Sequence, residues 1–313
     1  MTISNNATEP AAPTGDGGLV RLRIDLSYDG TDFSGWARQP GRRTVAEVVE
    51  TALATVLQFD PPLLLTVAGR TDAVVHATGQ VAHVDVPTIG GDYAIDVDRL
   101  ARRVAGLLPA DVALSALMIA PAGFDARFAA IGRRYAYRVT DVEPNPLRRR
   151  DTLAWPRPLD VEAMNQAAKG LLGEHDFAAY CRPRAGATTI RTLHDLSAAR
   201  DADEVIVISA VADAFCHNQV RSMVGALLTV GEGRRPSAWP ADLLRAGVRD
   251  PAVNVAPSHG LTLVAVDYPP DGELAARVAR TRQRRTLPDR SPSGAHPTPP
   301  HPVRAHNRRG SPS

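Results

Sequence analysis

From Leu22 to Tyr28 hydrophobic and polar residues alternate with a period of two, which predicts a strand that buries one face. The period then lengthens: Val45, Val48, Val49, Leu53, Val56 and Leu57 recur at helical spacing, and Thr44 with Glu47 predicts a capping box at that helix's start. Strands follow at Leu63 to Ala68 and Gln80 to Val86, then a helix through Leu100, Val104 and Leu107, then a strand at Val112 to Ile119. The order is βαββαβ. It returns downstream as a strand at Arg134 to Thr140, a helix at Val161 to Leu172, strands at Arg191 to Ala198 and Val205 to Val211, and a helix at His217 to Val230. An added helix at Ala241 to Ala246 precedes a last strand, Leu261 to Val266. The predicted fold class is α+β, with two ferredoxin-like halves whose antiparallel sheets join around a central cleft, a usual place for a site. The halves are expected at residues 19–120 and 121–270, with the boundary near Ala120 to Gly123. The segment Asp141 to Pro158, with Arg148 to Arg150, reads as an insertion near the cleft.

Composition narrows the setting. A chain of 313 residues that is 44% hydrophobic can build a sizeable core, and no run of about 18 apolar residues predicts a transmembrane helix. The first 18 residues lack a positively charged start followed by an apolar segment, so they read as an unstructured tail on a cytoplasmic protein. Cys181 and Cys216 stand far apart without a CxxC pattern, so neither a disulfide framework nor a zinc site is expected, only small, partly buried side chains. The net charge of +2 divides unevenly: residues 271–313 carry +6, with nine arginines, and the rest of the chain carries −4. That arginine- and proline-rich tail lacks apolar content and is expected to be disordered, either as a salt-sensitive contact to nucleic acid or as a solubilising extension.

Candidate chemistry concentrates in the stretch Gly69-Arg70-Thr71-Asp72, which follows an apolar run and places an acid beside an arginine where a strand ends. Alone, the tetrapeptide reads more readily as a turn whose acid accepts from its own backbone, with Arg70 its solvated partner. As a nucleophile or general base, Asp72 would need a guanidinium to hold it charged and oriented, and Arg70 and Arg221 are the candidates. Arg221 lies in a cluster with Phe215, His217, Asn218 and Ser222 at the start of an otherwise apolar helix. Arg133, Arg134, Tyr135, Tyr137 and Arg138 put two aromatics on one strand face and basic groups around them, suited either to RNA phosphates and a stacked base or to a sheet core. His76 and His83 lack a partner at metal-ligand spacing, and no glycine-rich phosphate loop occurs, so catalysis without a metal or cofactor is expected.

Six blocks in order carry a resemblance: Tyr28-Asp29-Gly30-Thr31 with Gly35-Trp36, Gly69 to His76, Phe124 to Phe128, Arg133-Arg134-Tyr135, Phe215 to Gly225, and Gly260 to Asp267. Together, over roughly residues 20 to 270, they resemble the tRNA pseudouridine synthase A family. The resemblance implies Asp72 as catalytic aspartate, Arg70 as the arginine that helps displace the target base, Tyr135 as active-site tyrosine, Arg221 as the aspartate's partner and Leu261 as the apolar residue flanking the site. It also implies a homodimer that holds tRNA, without a nucleotide cofactor, and acts on uridines at positions 38 to 40 of the anticodon arm. The sequence departs from the family pattern at Val74, where glycine is usual, and at Ala37, where glutamine is usual. A positive φ at position 74 would strain a β-branched residue. Two other classes stay open: an RNA-binding protein or RNA chaperone of the same architecture with little turnover, and an aspartate-nucleophile phosphohydrolase, for which the DxD pattern around Asp72 is missing.

Overall fold

The computed structural model describes residues 18–87, 95–182 and 188–282. The expectations for the tails at 1–17 and 283–313 lie outside the described residues. Among those described, ten strands form one mostly antiparallel sheet and six α-helices cover it.

In the N-terminal part, β1 (Leu19–Tyr28) lies between β3 (His76–Pro87) and β4 (Val112–Ile119), antiparallel to both, with Ile24 opposite Ala82 on one side and Leu117 on the other. Its alternation puts Leu22, Ile24 and Leu26 into a core against Val45, Val49 and Leu53 of α1 (Val45–Leu57) and Leu100 and Val104 of α2 (Val97–Ala105). Each such aliphatic side chain contributes about 1.5 to 3 kcal/mol on leaving water. The helix α1 ends where Gln58 turns left-handed, at φ 59°. In the C-terminal part, β5 (Gly132–Thr140) lies antiparallel between β10 (Leu261–Asp267) and β9 (Ile206–Ala212); β8 (Ile190–Arg200) and β7 (Gly173–Asp176) extend the sheet beyond β9. Its core joins Tyr137, Ile206 and Ile208 to Met164 of α3 (Val161–Lys169) and to Met223, Val224 and Leu227 of α4 (Gln219–Gly231), with α5 (Trp239–Ala246) alongside.

One edge of β3 is shared, and this positions the site. β10 runs parallel to its beginning, pairing with His76 and Ala77, while the two-residue β2 (Thr66–Val67) pairs farther along with Ala82 and His83. The chain between β2 and β3, which holds Asp72, therefore crosses where the sheet passes from one part of the molecule to the other.

Four sequence expectations change. The strand foreseen over Leu63 to Ala68 shrinks to β2: the antiparallel register would set Leu65 opposite Val84, but the Leu65 amide donates to the Glu50 carboxylate instead. The capping box does not form: Thr44 caps α1 only by position, its hydroxyl buried without a partner. Residues 271–282, expected in the disordered tail, include α6 (Leu274–Thr281), whose Leu274 packs with Phe124, Ala126 and Ala129 in a third small core. Cys181 and Cys216, expected as separate side chains, form a disulfide, because the turn Ala178–Tyr180 and the loop before α4 bring their Cα atoms to 5.7 Å. The insertion at 141–158 adds β6 (Leu153–Ala154) beside β5 and contributes no residue to the cleft described next.

Candidate active site

A cleft of about 1500 Å³ opens at the junction, and Asp72, Arg70, Tyr135, Arg221 and Leu261 all line it. The loop carrying Asp72 is held by the first two blocks of the sequence pattern. Thr71, buried, bonds through its hydroxyl to the Tyr28 hydroxyl at 2.8 Å, and the Gln80 amide donates to the Tyr28 hydroxyl and to the Gly69 carbonyl. The Trp36 amide donates to the Thr71 carbonyl, the Val74 amide to the Phe33 carbonyl and the Val75 amide to the Asp72 carbonyl. Gly35 lets the two loops approach so closely: it sits at φ +93°, and a Cβ there would stand 2.8 Å from the Thr71 carbonyl oxygen. Val74 adopts φ 66°, a conformation that β-branched residues rarely take.

This framework leaves the Asp72 carboxylate partly in solvent, at 40% exposure. It faces two basic side chains, one at the start of α4 and one just ahead of it. Arg221 Nη1 is 3.9 Å from one carboxylate oxygen and His217 Nε2 is 3.6 Å from the other. The Arg221 guanidinium is aimed by a second contact, its Nε–H donating to the Ala256 carbonyl at 2.6 Å. Burial pulls Arg221 below its usual pKa, with Asp72 acting in the opposite direction. At these separations and this exposure the charges orient one another more than they stabilise the fold. The sequence offers His217 only as part of a cluster; it lies ahead of α4, before the left-handed Asn218, so helical spacing gives no signal that singles it out.

Tyr135 and Tyr137 divide the two uses that the sequence left open. Tyr137 is fully buried, its hydroxyl donating to the Pro257 carbonyl, whereas Tyr135 reaches the cleft with its ring edge-on to Phe215 at 5.3 Å. Burial pushes the Tyr135 hydroxyl up to about 12, Arg133 opposing and Asp72 adding to the rise, so it stays protonated near neutral pH. Leu261, 6% exposed, opens β10 and supplies an apolar wall. Arg133, which the sequence offers as a phosphate contact, is instead a half-buried clamp: its guanidinium donates to the carbonyls of Asp213, Ala68 and Arg127, drawing the ends of β9 and β2 and the Phe124–Phe128 turn together. Arg70 is exposed on the rim. His76 ties three segments: Nδ1 accepts from the Gly30 amide, and Nε2 bonds to the carbonyls of Arg150 and His259. His83 Nδ1 accepts from the Ala126 amide. Among the described residues no group of three metal-ligating side chains converges.

A carboxylate at the floor, a tyrosine edge beside it and many arginines around it fit a ligand that carries both bases and phosphates. The family model described as tRNA pseudouridine synthase matches residues 167–269. A protein named tRNA pseudouridine synthase A from Frankia casuarinae is 61% identical over 279 residues, covering 88% of this chain and 99% of that relative. Proteins of the same name from Streptomyces griseus and Mycobacterium leprae are 58% and 49% identical, each alignment covering 96% of the relative and 87% and 85% of this chain. The class that site and matches define is the pseudouridine synthases, isomerases that re-attach a uracil to its ribose through carbon. Within that class, the chain belongs to the tRNA pseudouridine synthase A family.

Proposed function

We propose that this protein isomerises uridine to pseudouridine at positions 38 to 40 of the tRNA anticodon arm, with Asp72 as its catalytic aspartate. One observation carries the proposal: the Asp72 carboxylate faces Arg221 and His217 in the cleft that Tyr135 and Leu261 also line. The reaction breaks the bond between ribose C1′ and uracil N1, turns the base, joins C1′ to C5 and releases the C5 proton to water, while N1 takes up a proton in its place. The base must leave the stack and be retained between the two steps. Arg70, on the rim, helps displace it; Asp72 attacks the base or ribose, or takes a proton from the sugar; Arg221 orients the carboxylate. The Tyr135 ring packs on the uracil and Leu261 keeps water from the detached base.

Two halves, at residues 19–120 and 121–270, are part of the same reading. Their support is the strand pairing, in which β4-β1-β3-β2 and β10-β5-β9-β8 follow the same order relative to chain sequence. A homodimer in the cytoplasm completes it. The left-handed Val74 favours a second reading, an RNA-binding protein of this fold with weak turnover.

The test uses a tRNA transcript tritiated at uridine C5, with a chelator present. Wild type should release tritium and Asp72→Asn should not. Tight binding without release supports the second reading and removes the first.

A further inference from the structure

The arginines of the cleft fall into two groups. Arg38 pairs with Glu50, Arg133 is occupied by three carbonyls, Arg221 by Asp72 and the Ala256 carbonyl, Arg191 donates to the Ile190 carbonyl and Arg277 to that of Ala130. Arg70, Arg127, Arg280 and Arg282 also line the cleft, yet among the described residues none lies within 4.0 Å of a carboxylate. Two of these four belong to the end of the C-terminal helix.

That helix is fixed in place. Leu274 is 1% exposed in its small core, Gly123 at φ +76° leaves so little space that a Cβ would meet Ala275 at 2.9 Å, and Arg277 donates to the Ala130 carbonyl at 3.2 Å. Arg280 and Arg282, though exposed, are thus held at the cleft wall. Phe128 is half-buried beside Arg282, with the guanidinium carbons of Arg282 and Arg127 at 5.4 and 5.2 Å from its ring centroid. The helix end contributes roughly half a negative charge, less than the two arginines bring. A cleft of about 1500 Å³ also exceeds the roughly 300 to 1,000 Å³ of an ordinary small-molecule pocket, leaving room for more than the target nucleotide.

We propose that α6 and Phe128 form a second nucleotide subsite on the cleft rim, in which Arg280 and Arg282 hold phosphates of the tRNA strand flanking the target and Phe128 stacks an unpaired base. The subsite rests on the synthase reading for the identity of its RNA. Guanidinium groups without counter-charges favour a polyanion, and an aromatic face among them accepts any base. Neither residue reaches the reacting atoms, so their effect falls on substrate capture.

Binding of unmodified tRNA to Asp72→Asn protein is measured across a range of salt, and tritium release by the otherwise unaltered enzyme gives kcat and KM. Arg280→Ala with Arg282→Ala should raise Kd and KM about tenfold, leave kcat within about twofold, and flatten the slope of log Kd against log salt by about 1.4 to 1.8, the share of two phosphates. Phe128→Leu should weaken binding about tenfold, with Phe128→Tyr restoring it. An unchanged salt slope and Kd in the double arginine variant overturns the subsite, and tritium release by wild type then still supports the synthase. Conversely, a salt slope that depends on α6 in a protein that releases no tritium upholds the subsite and removes the synthase reading. The two arginines are exposed, so an unchanged melting temperature separates lost capture from lost folding.

Discussion

Replacing Val74 by alanine and, separately, by glycine isolates the backbone cost of the loop that carries Asp72. Both substitutions remove the same half-buried methyl groups, so their difference reports on φ, which is 66° at this position. Left-handed backbone costs a residue with a Cβ about 1 to 2 kcal/mol, while glycine gives back about 0.5 to 1 kcal/mol through the freedom of its unfolded chain. The glycine variant should therefore be the more stable of the two by about 0.5 to 1 kcal/mol, or roughly 1 to 4 °C in melting temperature for a protein of this size. Within ordinary helices and strands the sign is opposite, which makes the comparison decisive. Thermal melts of both variants measure it, and alanine equal to or above glycine would refute the strained loop. Tritium release extends the argument to function. The Val74 amide still donates to the Phe33 carbonyl and the Val75 amide to the Asp72 carbonyl when the side chain is gone, so the loop remains tethered. Val74→Gly should release tritium at the wild-type rate or faster. A large fall would mean that valine itself helps to place Asp72.

Gly35→Ala should destabilise the protein by about 2 to 4 kcal/mol and depress kcat more than it raises KM, because the new Cβ combines a left-handed φ with a clash 2.8 Å from the Thr71 carbonyl oxygen; wild-type melting and turnover would refute the close approach. Asp29 gives a pH prediction. Its partial burial alone would raise its pKa, but hydrogen bonds from the Thr31 hydroxyl and amide and from Arg150 outweigh that and hold it at about 2. A carboxylate whose folded pKa lies below its unfolded value adds stability that is present above about pH 4 and lost as pH falls toward 2. Urea denaturation should therefore show wild type losing more stability than Asp29→Asn between pH 4 and pH 2, and parallel losses would refute the network around Asp29.

How far the fold could be read in the sequence depended on whether a residue's partners lie close along the chain. The strand from Leu22 to Tyr28 and the helix from Val45 to Leu57 were legible because period and burial coincide there. The helix α6 was not: Leu274 and Val278, four apart, are a minimal apolar stripe, and averaging over an arginine- and proline-rich tail hid it. The cysteine pair was hidden for a different reason, since a separation of 35 residues says nothing about two loops meeting in space. In the candidate site, Asp72, Arg221, Tyr135 and Leu261 could be named from their motifs, but their convergence depends on β10 pairing in parallel with the start of β3. Arg133 shows the limit most sharply. A basic residue on a strand beside aromatics looks like a phosphate contact, and only the carbonyls of Asp213, Ala68 and Arg127 around its guanidinium reveal a clamp that consumes its donors internally. The same criterion runs in reverse for Arg280 and Arg282. In a cleft crowded with arginines, position alone does not distinguish structural from ligand-binding cations; the number of donors already committed to the protein does, and these two have donors to spare.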